Sequence, residues 1–124
     1  MIKYSLEFPM KSSVKILYNS LATPSGLSEW FANDVNIRDG IYTFEWEYST
    51  QSAELLTKKP NEYIKFRWED YDDDTYFEFR IQLDELTGDV SLIVTDFAED
   101  EDDMEESKLL WERQIGDLMH SIGS

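Results

Sequence analysis

Residues 109–124 read LLWERQIGDLMHSIGS. Within them Trp111, Ile115, Leu118, Met119 and Ile122 recur at spacings of three and four, which places them on one face of an α-helix. Nearly everything before this stretch reads as strands. A long helix that follows a run of strands buries its apolar stripe most simply against the concave face of a curved antiparallel sheet. Gly116 lies inside the helix, where it costs about 1 kcal/mol relative to Ala. It is read as permitting a close approach to the sheet or a bend over it. His120, the single histidine, falls in the last turn, where a cation is mildly favoured. No nucleophile motif includes it, so a structural role fits better than that of a general base.

Working outward, the strands declare themselves by alternation. Ile2, Tyr4, Leu6 and Phe8 alternate with Lys3, Ser5 and Glu7, and Pro9 sits at the end of the run, where a missing N–H does least harm. Ser12 and Ser13 are candidate caps for a helix carrying Val14, Leu17, Tyr18 and Leu21. Thr23 caps and Pro24 opens a second short helix, Ser25 to Phe31. Strands resume with Val35 and Ile37, a turn at Asp39-Gly40, then Tyr42, Phe44, Trp46 and Tyr48 against Thr43, Glu45 and Glu47. Ala53 to Thr57, Ile64 to Trp68, Phe77 to Leu83 and Val90 to Thr95 follow, joined by turns at Lys59–Glu62 and Thr87–Asp89. Each strand has an apolar, largely aromatic face and a charged one.

Composition narrows the function classes. The chain has 124 residues, the length of one domain. Its 27 acidic residues against 11 basic ones give a net charge of −16, with Lys58-Lys59 the longest basic run. Such a surface repels nucleic acid and anionic membranes. No stretch reaches the ~20 apolar residues of a membrane span, and the opening residues do not form a signal peptide. A cytoplasmic location is expected. There is no Cys, so no disulfide, thiolate metal site or Cys nucleophile. Asp70, Asp72, Asp73 and Asp74 share a loop, and Glu99 to Asp103 with Glu105 and Glu106 precede the last helix. Carboxylates of this kind suit hard cations, but the first loop lacks the Gly and the closing Glu of a calcium loop. Both runs are read as solvated, the second as charge stabilising a helix N-terminus. No metal and no cofactor are expected.

The segment Leu21-Ala22-Thr23-Pro24-Ser25-Gly26-Leu27-Ser28-Glu29-Trp30-Phe31 and the run Leu110-Trp111-Glu112-Arg113-Gln114-Ile115-Gly116-Asp117-Leu118 resemble the START-like (SRPBCC, helix-grip, birch-pollen-allergen-like) superfamily. Within it they look most like the branch related to activators of the ninety-kilodalton heat-shock-protein ATPase. The resemblance covers essentially the whole chain. It implies a single START-like domain over residues 1–124, of α+β class. A curved antiparallel sheet of six to seven strands wraps a long C-terminal helix, with two short helices between strands 1 and 2. The paired glycine common in the family is reduced here to Gly40. The polar groups that some relatives place inside the cavity have no clear counterpart.

Nine residues are expected to converge between sheet and helix: Trp30, Trp46, Phe66, Trp68, Phe77, Phe79, Trp111, Ile115 and Met119. The gap there is often a cavity in helix-grip proteins, and the resemblance implies a non-enzymatic domain that takes a small hydrophobic ligand. The competing reading is that the rings simply fill the gap. Two other classes are open: a chaperone-linked or other interaction module that offers its acidic surface to a basic protein, and an enzyme of the polyketide-cyclase or aromatase type. The last needs titratable groups inside the cavity, and alternation places almost none there, so no catalytic residue is assigned. Monomer and homodimer are both compatible with the sequence.

Overall fold

A computed structural model describes residues 1–71 and 74–124 of the chain. Asp72 and Asp73, half of the first acidic run, lie outside the described residues. Seven antiparallel strands form one sheet: β1 (Ile2–Met10), β2 (Asp34–Arg38), β3 (Ile41–Glu45), β4 (Thr50–Lys59), β5 (Tyr63–Trp68), β6 (Phe77–Leu83) and β7 (Val90–Ala98). Their spatial order is β1-β7-β6-β5-β4-β3-β2. Consecutive strands from β2 to β7 are neighbours, as tight turns dictate. Asp39 and Gly40 both have positive φ, 52° and 78°, the twist that a two-residue hairpin needs. Strands β1 and β2 are the two edges, and Pro9 lies on β1 where no further strand needs its N–H. The register slips between Leu55 and Thr57 of β4, an irregularity of the kind that bends a strand and increases local twist.

Because β1 and β2 sit at opposite edges, the chain must cross the sheet between them. Two helices make that crossing over the concave face, α1 (Val14–Ala22) and α2 (Pro24–Leu27). Ser13 caps α1 by accepting from Ile16 N–H at 3.2 Å, and Thr23 caps α2 by accepting from Gly26 N–H at 2.9 Å. The second helix is shorter than expected, and turns carry the chain on to Phe31. Helix α3 (Glu101–Ser121) packs on β1 and β7, while α1 packs on β5 and β6. The concave face is therefore shared between the long helix and the crossing pair. Its core includes Tyr42, Phe44, Ile64, Phe66, Phe77, Phe79, Leu92 and Val94 from the sheet, and Leu17, Leu21, Ile115 and Leu118 from the helices.

Three expectations need correcting. Helix α3 begins at Glu101, eight residues ahead of Leu109, so Glu101 to Glu106 lie in the helix and not before it. Asp100 is the N-cap, accepting from Asp103 N–H at 2.8 Å, and three acidic residues occupy the first turn. Strand β3 stops at Glu45; Tyr48 belongs to the following turn and is 92% exposed. Gly116 does not approach the sheet: a Cβ there would meet nothing within 4 Å. The close approach is at Gly26, where a Cβ would run into Asn19 O and lie 2.7 Å from Ser20 Cα.

Candidate functional site

The short helix α2 sets the geometry of one end of the molecule. Because Gly26 lacks a Cβ, α2 folds back tightly on α1, and the turns after it deliver Trp30 and Phe31 to the concave side. Trp30 Nε1–H donates to Ser20 O at 2.8 Å, which fixes its indole against α1. Phe31 becomes the hub of the aromatic interior. Its ring lies 4.9 Å from Phe44 edge-on and close to parallel with Trp111 at 6.0 Å and with Trp68 at 6.4 Å. Trp46 Nε1–H donates to Phe31 O at 2.8 Å and so leans over the same ring. Such offset and edge-to-face pairs add roughly 0.5–1.5 kcal/mol each beyond area burial.

Beyond this cluster, between α3 and the ends of β3, β4 and β5, the surface opens into a cleft of about 820 Å³. All four tryptophans border it: Trp30, Trp46, Trp68 and Trp111. Trp30 and Trp111 are buried, whereas Trp46 and Trp68 are half-buried and leave indole surface uncovered. Phe66, Phe77, Phe79 and Ile115 are fully buried in the packed core. Phe77 joins the two groups, stacked at 5.0 Å on Phe66 and at 4.8 Å on Trp68. Met119 is half-buried against the same core and is not among the residues bordering the cleft. Of the nine residues expected to converge, four line the cleft and four are packed core.

One wall of the cleft is polar, and here the sequence reading missed the principal residue. Asp96 sits on β7 directly opposite Tyr4 of β1, on the inward face that Leu92 and Val94 also occupy. Trp111 Nε1–H donates to its Oδ2 at 3.0 Å, and Phe97 N–H donates to its Oδ1 at 2.8 Å. Both donors are neutral. Burial pushes the Asp96 carboxyl up to about 6, the Asp103 carboxylate adds to the rise, and the two N–H donors oppose it. Burial, and then the Asp96 charge, pushes the Tyr4 hydroxyl up to about 12. That hydroxyl is buried without a hydrogen bond of good geometry among the described residues. The interior thus does hold a titratable pair, the feature that alternation had seemed to leave out.

Asp96 also borders a second recess of about 470 Å³, which shares Trp68, Tyr71 and Ser107 with the cleft. Asp70, Glu99 and Asp103 stand around this recess. On the helix side of the cleft are Leu110 and the polar Arg113, Gln114 and Asp117 of α3, beside Trp111. The signal that could have revealed Asp96 was alternation itself. Carried two residues beyond Val94, the inward series Val90, Leu92, Val94 lands on it. Phe31 was visible as an aromatic next to Trp30, but nothing local distinguishes a hub from a neighbour.

Over its full length, residues 1–124, the chain matches the START-like superfamily domain. A Bacteroides fragilis protein solved by NMR in solution is similar, with 33% identity and a TM-score of 0.70 over 97% of this chain and 90% of that one. The Aha1 dimer from Colwellia psychrerythraea shares the fold at 18% identity and a TM-score of 0.83, covering 98% of this chain and 96% of its own. So does the AHSA1-like protein from Aeromonas hydrophila, at 9% identity and a TM-score of 0.80, over 98% and 92% of the two chains. No curated protein matches the chain. No helix among the described residues is long and apolar enough to cross a membrane. The chain belongs to the START-like superfamily, with the fold of its Aha1-related branch.

Proposed function

We propose that the cleft between α3 and the sheet is the binding site of a small, largely apolar ligand. The observation that carries this reading is the convergence of all four tryptophans on one opening, two of them with indole surface uncovered. A volume of about 820 Å³ falls in the range of small-molecule sites, which are mostly apolar and carry a few placed polar groups. The bulky floor of Phe77 and its neighbours keeps the ligand near the mouth. It does not admit a long chain threaded under the helix. Ligand-binding residues on this reading are Trp30, Trp46, Trp68 and Trp111, with Phe31 supporting them.

The test is titration with the neutral dye N-phenylnaphthylamine, read as quenching of tryptophan emission by energy transfer. Saturable binding that Trp68→Ala weakens about tenfold, the loss of one aromatic wall, is the expected result. Unsaturable binding, or an unchanged affinity in that variant, would sink the reading.

A second reading draws on the exposed carboxylates Glu101, Asp102, Glu105 and Glu106 on the first turns of α3. They form a surface suited to a basic protein partner, whose binding would weaken steeply with salt. A pull-down that is insensitive to salt would argue against it.

A further inference from the structure

The cleft wall is acidic as well as aromatic. Glu29 after α2, Asp96 of β7 and Asp117 of α3 border the cleft, and the adjoining recess adds Asp70, Glu99 and Asp103. Among the described residues Arg113 is the basic side chain bordering the cleft, and Met1 borders the recess. Asp96 borders both spaces. It accepts from two neutral N–H groups, one on each oxygen, whereas a carboxylate offers about four acceptor sites. Trp68, half-buried, borders the same two spaces as Asp96. An indole face is the best aromatic partner for a cation. An anion brought here would meet carboxylates on three sides and a single exposed guanidinium.

Building on the ligand-site reading above, we propose that the cleft selects organic monocations. The ammonium head of an aryl-alkyl amine seats between the Asp96 carboxylate and the half-buried indole of Trp68, and its apolar body lies over Trp46. Selection follows from three coincident features: a carboxylate that no cation pairs among the described residues, the half-buried indole of Trp68 beside it, and a surrounding wall of like charge that concentrates cations at the mouth.

The test compares three probes with one body and different heads, phenylbutylammonium, butylbenzene and phenylbutanoate, titrated against the full chain by tryptophan fluorescence. At about pH 8, where carboxyls are ionised and the amine is charged, the amine is expected to bind about tenfold more tightly than butylbenzene, and the acid more weakly than both. Tyr4 of β1, Tyr71 after β5, and Asp103 and Ser107 of α3 stand around Asp96. Of the groups at this position only carboxyls titrate in the acid range, so at about pH 5 the advantage should shrink to about twofold. Asp96→Asn should shrink the amine's advantage over butylbenzene equally at the higher pH. If that variant does not fold, as read by circular dichroism, the pH series on the unaltered chain decides alone. Equal affinity for amine and butylbenzene, a preference for the acid, or an advantage that persists at low pH would each overturn the proposal while the ligand site stands. Failure of all three probes and of the neutral dye would remove both.

Discussion

Asp96 carries a free-energy cost that can be read through pH. Its carboxyl titrates near 6 in the folded chain, against an ordinary 3.8, so the folded state keeps a proton that the unfolded state has already released. Stability from this group is present at acid pH and is lost as the pH rises through the folded value, by about 2–3 kcal/mol in total. Other carboxyls obscure the effect in a single curve, but a difference isolates it. Urea unfolding of the unaltered chain and of Asp96→Asn should show the variant gaining relative stability between about pH 4 and 6 and none above. A difference that runs the other way would contradict the assignment. Trp111→Phe keeps a ring in place but withdraws the donor from Oδ2, at an expected loss of about 1–3 kcal/mol at neutral pH by the same measurement. The sequence held the clue to Asp96 and hid it at once. Val90 to Thr95 reads as a strand, and Asp is so poor a strand former that the run seems finished one residue too early.

Individual elements tell a similar story at their boundaries. The C-terminal half of α3 was legible because Trp111, Ile115 and Leu118 bury a periodic stripe. Its N-terminal third was not, because Glu101 to Glu106 are mostly exposed and offer the core little beyond Met104. What builds those turns is local: Glu favours helix, Asp100 caps, and carboxylates suit the positive end of the helix dipole. Asp100→Ala should accordingly cost about 1 kcal/mol and fray the first turn, visible as faster amide exchange at Asp103 and Met104. The two helix glycines make opposite predictions. Gly116→Ala meets open space and should stabilise by up to about 1 kcal/mol in thermal or urea unfolding. Gly26→Ala forces the backbones of α1 and α2 apart and should destabilise by about 1–3 kcal/mol or more. Only Gly116 drew notice in the sequence, since a glycine in a helical pattern is conspicuous while one in a four-residue turn of helix is not.

For the molecule as a whole, charge and topology act separately. A net charge of −16 repels itself in the compact state, and screening relieves part of that repulsion. The melting temperature should therefore rise by several degrees on moving from low salt to about 0.5 M sodium chloride, where the screening length is only a few ångström; a fall would mean that paired charges such as Glu78 with Lys65 and Arg80 matter more than the excess. The fold class followed from alternation plus one helix. The identity of neighbours followed only for strands joined by turns. Alternation says that residues 2–10 form a strand, but nothing local says that their partner is residues 90–98.

That pairing has a consequence in time. Strand β1 is hydrogen-bonded along its whole length to β7, from Ile2 opposite Ala98 to Met10 opposite Val90. Contacts this distant in sequence form slowly, because a large loop must close before they are made. During synthesis β1 leaves the ribosome with its edge unsatisfied and waits for the roughly 80 residues that precede β7. Until then the strands made before β7 form an open sheet precursor, and its aromatic face is covered only when α3, which follows β7, packs on β1 and β7.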